Sequence, residues 1–367
     1  MRAKLLPTGL CLVLLVVAAG CGRNKSYYPE WIAGNAASVE ALSKLAAQKN
    51  WQLLAVERGT IVKIDLGKQQ VEHIYRPKNM MQQASYLSHG HVALVEKVSK
   101  DGAYLGHFLV LVDTSEWKEV VRAPVEDRPD HWSGPSSILL AEDHAVLPIG
   151  RRLARYDFKT KRTEILLDER EFFVLKVVRQ VSDLLYVVRE GGNEYFHGWE
   201  LVILKAVPPY SVVSTEAGVR NVLPVGNGLL IEKKWKVYEE DAAGKRRFLV
   251  GGQLLAKAGE SAFLYTDAAY LGTGSVLVYD RSEGKSKELA SDVRHEDIMS
   301  RDLRPFASPD AQYAFVCVPA PAPGFPYLYE WVYKVYELKS GRQVGAFYNP
   351  YLGKNEHQIS QVLGWVE

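Results

Sequence analysis

His89 and His91 flank one glycine, which on an extended strand puts two imidazoles on the same side, a spacing that can hold a metal. No carboxylate or thiolate stands at ligand spacing beside them, so the pair reads as a turn between strands. His295-Glu296-Asp297, and Asp127 with Asp130 and His131, are polar clusters in loop-like stretches. Each could hold a cation, and each reads more simply as a solvated face. Cys317 lies in the apolar run Tyr313–Val318 and reads as a small buried hydrophobe rather than a nucleophile. The chain has no Gly-x-Ser-x-Gly elbow, Walker-type loop, dinucleotide fingerprint or His-Glu-x-x-His pair. Seryl and metal-dependent hydrolysis are therefore unsupported, and no catalytic residue, metal or cofactor is expected.

The chemistry that the sequence does support is at its start. Arg2 and Lys4 precede the apolar stretch Leu10–Ala18, which is too short to span a bilayer stably. It closes in Ala18-Ala19-Gly20-Cys21, which resembles the lipobox of bacterial lipoproteins, with Ala18 where Leu is usual. The resemblance implies cleavage before Cys21 and acylation of that residue, palmitate included, with more than one chain giving stable anchoring. Gly22 follows in place of the Asp that usually holds lipoproteins in the inner membrane. In a two-membrane bacterium that implies an outer-membrane anchor facing the periplasm. With Cys11 removed and Cys21 acylated, only Cys317 of the three cysteines remains, so no internal disulfide can form.

Removing the first 20 residues takes away Arg2 and Lys4, and the 45 basic residues then fall level with the 43 acidic ones. Such a body lacks the basic footprint nucleic acid requires, so nucleic acid is not an expected partner. A hydrophobic fraction of 47% argues for a folded core.

The elements that must position any site are repetitive. Residues 21–50 read as a lipidated tether followed by one short helix, Asn35–Gln48, with Val39, Leu42, Leu45 and Ala46 on one face. From Trp51 to Glu367 a strand ending in an acid, a polar turn and a second strand recur. The clearest copies are Ile61–Asp65 with Gln70–Ile74, Leu109–Asp113 with Lys118–Val121, and Leu153–Asp157 with Thr163–Leu167. Val276–Asp280 with Lys287–Ala290 and Val332–Glu337 with Gln343–Phe347 follow. Glu200–Leu204 with Ser211–Val213 and Trp235–Glu239 with Arg247–Val250 are degenerate copies. The acid caps the turn, and Gly67, Gly284 and Gly341 are expected to supply positive φ. Seven copies about 45 residues apart match four-stranded propeller blades. The reading is all-β: a seven-bladed β-propeller of four-stranded antiparallel blades. The first blade has only three strands after the helix, and Ile359–Val366 is the candidate for the fourth. Pairing the N- and C-terminal strands would close the ring and hide its edges.

Phe306-Ala-Ser308-Pro-Asp310-Ala311 resembles the repeat of TolB-type propellers, with Ala311 replacing the usual Gly. The same residues approximate the Asp-box of sialidase-like propellers, although a single imperfect copy reads as a turn. The TolB resemblance implies the fold and a periplasmic style of binding.

Strand alternation divides the connections between two faces. Turns within the inner and outer strand pairs are short and share one face. The long segments share the other: Lys97–His107, Arg189–Gly198, Val318–Tyr329, Pro124–Pro135, Ser291–Pro305 and Tyr348–His357. This long-connection face gathers aromatics, of which Tyr195, Phe196, Trp199, Phe325, Tyr327 and Tyr329 form the candidate binding surface. The expectation is a monomeric, membrane-anchored scaffold that engages an envelope protein or peptide. The alternatives are an envelope enzyme acting on glycan or peptide through scattered carboxylates at the channel mouth, and a small-ligand sensor. Two carboxyls about 5–10 Å apart would favour the enzyme, and exposed aromatics would favour binding.

Overall fold

The computed structural model describes residues 36–366 except 58, 69, 88–89, 102, 126–137, 142, 150, 169–171, 192–197, 270–271, 296–297, 299–303, 323–324 and 349–358. Helix α1 spans Ala36–Lys49. Blade 1 holds β1 (Gln52–Glu57), β2 (Thr60–Asp65) and β3 (Gln70–Tyr75). Blade 2 holds β4 (Met80–Leu87), β5 (His91–Lys100), β6 (Ala103–Asp113) and β7 (Lys118–Val125). Blade 3 holds β8 (Leu139–Leu140), β9 (His144–Ile149), β10 (Arg152–Asp157) and β11 (Arg162–Asp168). Blade 4 holds β12 (Phe172–Val181), β13 (Leu184–Gly191), β14 (Gly198–Lys205) and β15 (Val212–Ala217). Blade 5 holds β16 (Val219–Val225), β17 (Gly228–Lys233), β18 (Lys236–Glu240) and β19 (Arg246–Gly251). Blade 6 holds β20 (Gln253–Ala258), β21 (Ala262–Thr266), β22 (Thr273–Asp280) and β23 (Lys285–Arg294). Blade 7 holds β24 (Phe306–Ala307), β25 (Tyr313–Ala322), β26 (Phe325–Glu337) and β27 (Gln343–Tyr348), and β28 (Ile359–Trp365) returns to blade 1.

These strands form seven four-stranded antiparallel sheets, the first ordered β28-β1-β2-β3. Leu53 pairs with Trp365 and Val56 with Gln361, so the C-terminal strand is the innermost member of blade 1, as the one-strand deficit required. The core follows the same plan. Its seven apolar clusters each lie between two neighbouring blades, as in Leu54, Val56, Leu94 and Val110 for blades 1 and 2. Both faces of β1, β5 and β21 are thereby buried, β1 at five successive residues. The outermost strands keep one side in water, so β15 is almost wholly exposed.

An acid at or just past the end of the third strand caps the turn in every blade but blade 4, where β14 ends in Lys205. Asp157 Oδ1 accepts from the Thr160 amide and hydroxyl at 2.6 and 2.8 Å, and Asp280 Oδ1 accepts from the Ser282 amide and hydroxyl at 2.8 and 2.6 Å. These bonds hold both carboxyls below the usual Asp range. The left-handed residue falls four positions after the acid, at Trp117, Lys161, Gly284 and Gly341. Gly67 is two positions after Asp65 and is not left-handed, contrary to expectation. A Cβ there would sit 2.9 Å from the Cα and N of Ala47, so the glycine is needed for the close approach of α1. Gly345 on β27 has the same role under Leu42 and Ser38. The helix therefore lies over the seam between blades 7 and 1, burying Val39, Leu42 and Ala46.

Two expected loops are strands. Lys97–His107 belongs to the hairpin β5–β6, where Lys100 pairs with Ala103. Val318–Tyr329 belongs to β25–β26, which pairs through Pro319↔Trp331 and Pro321↔Tyr329. The ladder to β26 runs through Pro319 and Pro321, residues that a sheet accepts on an edge strand. The described part of β24 covers only Phe315 and Ala314, so that edge of β25 has no described partner further along.

Candidate functional site

A polar cluster occupies the long-connection face where blades 4, 5 and 6 meet the channel. Its members come from consecutive innermost strands, Lys176 on β12, Arg220 and Asn221 on β16, and Gln253 on β20, joined by Glu232 near the end of β17. Each hydrogen bond made by these five residues' side-chain donors and by the Glu232 carboxyl crosses a blade boundary. The Lys176 ammonium donates to Asn221 Oδ1 at 3.3 Å and to the Val222 carbonyl at 2.9 Å. Asn221 Nδ2 donates to the Leu254 carbonyl at 2.8 Å, and Glu232 Oε2 accepts from the Leu254 amide at 3.1 Å. Arg220 Nη1 donates to Gln253 Oε1 at 2.9 Å, while His295 Nε2 lies 3.3 Å from the same oxygen.

Desolvation dominates the electrostatics. Burial pushes the Glu232 carboxyl up to about 7, against the pull of Arg220 and Arg304. It pushes the Lys176 ammonium down to about 7, and repulsion from Arg304 acts in the same direction. Glu232 is buried and Lys176 half-buried, and loss of water around the charged form is the leading cause of both shifts.

Aromatic rings flank the cluster. The Arg220 guanidinium lies 5.5 Å from the Trp199 ring and 5.9 Å from that of Trp235, and Trp235 and His295 have centroids 6.0 Å apart. Trp235 is not the strand residue that the repeat suggested. It is the second residue of the two-residue turn between β17 and β18, closed by the pair Lys233↔Lys236. Lys234 and Trp235 both have positive φ, 51° and 62°, a pattern that hairpins of this length normally fill with Asn-Gly. Trp235 remains 43% exposed.

The residues singled out by sequence fare differently. Trp199 on β14 is half-buried beside Arg220. Tyr195 and Phe196 lie outside the described residues, as do His89, Asp127, Asp130, His131, Glu296 and Asp297. Phe325, Tyr327 and Tyr329 stand on β26, with their side chains outside the description. His295 is buried at 4% exposure rather than part of a solvated face. His91 opens β5, next to the left-handed Gly90. Ser308 and Asp310 form the expected turn: Ser308 donates to Asp310 Oδ1 at 2.6 Å, and Ala311 takes the left-handed conformation where Gly is usual. Cys317 is buried against the seam between blades 7 and 1. Lys176, Arg220, Glu232, Gln253 and Trp235 escaped the sequence reading. Each looks like an ordinary strand residue, and no motif joins positions on three blades.

Among the described residues no group of His, Cys, Asp and Glu is arranged to hold a metal, and no helix is long and apolar enough to cross a membrane. A cleft of about 360 Å³ opens on the short-turn face, lined by Gly226, Glu239, Glu240, Asp241, Glu260 and Arg281. Its charges are engaged within the protein: Arg281 and Arg247 on Glu239, and the Gly226 amide and Lys257 on Glu260.

The fold defines the class: a seven-bladed β-propeller closed by its own two ends. A Bacteroides uniformis protein provisionally named a 6-phosphogluconolactonase is similar to it, 8% identical, covering 86% of this chain and 99% of its own, with a TM-score of 0.52. A puromycin hydrolase is 11% identical over 82% of this chain, with a TM-score of 0.49, and this chain spans only 53% of its length. TolB from Acinetobacter baumannii is 10% identical over 78% of this chain and 77% of its own, with a TM-score of 0.40. At these identities the likeness speaks for the fold alone. No protein-family model matches the chain, and no curated protein matches it in sequence.

Proposed function

We propose that this chain is a lipid-anchored propeller of the bacterial cell envelope that binds a protein or peptide partner through its long-connection face. The observation that carries the reading is Trp235. A bulky side chain held at positive φ costs about 1–2 kcal/mol, and nothing in the hairpin itself demands it. The ring is exposed and stands beside Arg220, the pairing of residue types that binding hot spots favour. Cys21 would carry the lipid after loss of residues 1–20, and 21–35 would tether the monomeric body to the periplasmic side of the outer membrane.

The enzymatic alternative draws on Glu232, whose near-neutral carboxyl suits general acid–base work. Glycosidic cleavage asks for a pair of carboxyls, and the described cluster holds one among cations. Binding is the better-supported reading.

Crosslinking of the tethered protein in its native membranes, followed by recovery of the conjugate, tests the binding role. Trp235→Ala should lower recovery at least tenfold with the melting temperature unchanged. Equal recovery would refute the assignment. Cys21→Ser should leave the protein uncleaved or soluble, and a cleaved variant still in the membrane fraction would refute the anchor.

A further inference from the structure

Hydrogen-bond accounting at the channel mouth leaves donors in excess. A guanidinium carries five N–H groups and an ammonium three, and neither can accept. Arg220 gives one bond, to Gln253, and Lys176 gives two, to Asn221 and Val222. The Gln253 side chain is fully buried, yet its Nε2 has no hydrogen-bond partner among the described residues. Glu232, the one carboxyl of the cluster among the described residues, accepts from the Leu254 amide and feels the charge of Arg220.

Charge runs the same way. No described carboxylate pairs with Lys176, and the charged group that acts on it is a second cation, Arg304. Partly desolvating an ammonium without a counter-charge is costly, and a well-packed apolar side chain would stabilise the same spot better. The flanking rings of Trp199 and Trp235 hold the Arg220 plane, which suits it for two-pronged bonding to a planar anion.

We propose that Lys176, Arg220 and the Gln253 amide form a seat for a peptide carboxylate, supplied by the partner's chain terminus or by one of its acidic side chains. This rests on the reading of the long-connection face as the binding face and names the group it recognises. A carboxylate is acceptor-only, fits the guanidinium fork and supplies the charge that Lys176 lacks.

The test is titration calorimetry of the full-length protein in detergent with three probes: acetyl-triglycine as free acid, its C-terminal amide, and acetyl-Gly-Asp-Gly-amide. At least one carboxylate peptide should bind ten times more tightly than the amide. The free acid alone binding would assign the seat to a chain terminus, and the aspartyl peptide alone to a side chain. Lys176→Met and Arg220→Lys should each weaken that binding tenfold or more. Lys176→Met should melt no lower than the parent, whereas a lysine that merely staples two blades would be missed by the fold. Three equal affinities, no binding to the folded parent, or displacement by equimolar inorganic phosphate would overturn the carboxylate assignment. So would carboxylate binding retained in Lys176→Met. Should Arg220→Lys fail to fold, Lys176→Met decides alone. Crosslinking that depends on Trp235 while no peptide binds would leave the binding face standing and remove the seat.

Discussion

Trp51, just before β1, and Trp365, at the end of β28, bring their rings to 5.6 Å and close the propeller. Phe315 packs against both, at 5.6 and 5.3 Å, and the Trp365 indole donates to the Ala307 carbonyl at 2.7 Å. Blade 7 thereby grips the strand that completes blade 1. Deleting residues 358–367 removes that strand and bares the inner edge of β1. The loss should consume most of a domain's stability of about 5–15 kcal/mol. A truncated protein that still melts cooperatively at the parent temperature would show that closure contributes little.

Helix α1 is held against the same seam by shape. Gly67→Ala places a Cβ against the backbone of Ala47, which cannot yield as a side-chain tip would. The expected cost is about 1–3 kcal/mol in denaturant unfolding. Gly284→Ala, where the constraint is the positive φ, should cost about 1 kcal/mol with α1 undisturbed. Unchanged unfolding in Gly67→Ala would mean that the helix is not seated on the blade 1 turn.

Stability and recognition should part company at Trp235. Trp235→Gly relieves the left-handed strain and should stabilise the hairpin by about 1 kcal/mol. The same change should reduce partner recovery more than tenfold. A fall in melting temperature instead would make Trp235 a packing residue.

Glu232 and Lys176 give opposite pH dependences. The Glu232 carboxyl is raised in the folded state to about 7, so the folded protein keeps a proton that the unfolded chain loses. Stability falls as pH rises from about 4.5 to about 7. The Lys176 ammonium is depressed to about 7, so the unfolded chain holds the extra proton above that pH. Stability is regained between about 7 and about 10.5. At about 1.4 kcal/mol per pH unit, the acidic limb is worth about 3 kcal/mol and the alkaline limb about 5 kcal/mol. Urea unfolding across pH should show a minimum near neutrality from this pair. Glu232→Gln should flatten the acidic limb and Lys176→Met the alkaline one. Limbs unaffected by these substitutions would assign the dependence to other groups.

The sequence by itself determined the ring. Every blade but blade 4 repeats one local pattern, an apolar strand, a capping acid and a turn, and local patterns survive in one dimension. Asp157 and Asp280 cap their turns as their positions required. The deficit of one strand in blade 1 pointed to Ile359–Val366, because an unpaired edge on one end and a spare strand on the other have one economical solution. Val318–Tyr329, expected as a loop, is largely strand, since proline is tolerated on an edge strand as well as in a loop. Gly67 misled too, because a glycine needed for close approach and one needed for positive φ are identical letters. Only the tertiary structure decided the site. Lys176, Arg220, Glu232 and Gln253 are drawn from three blades, and their properties arise from burial and from neighbours far away in the chain. Desolvation belongs to no residue type, so the near-neutral titration of Lys176 and Glu232 could not be read before the blades were packed together.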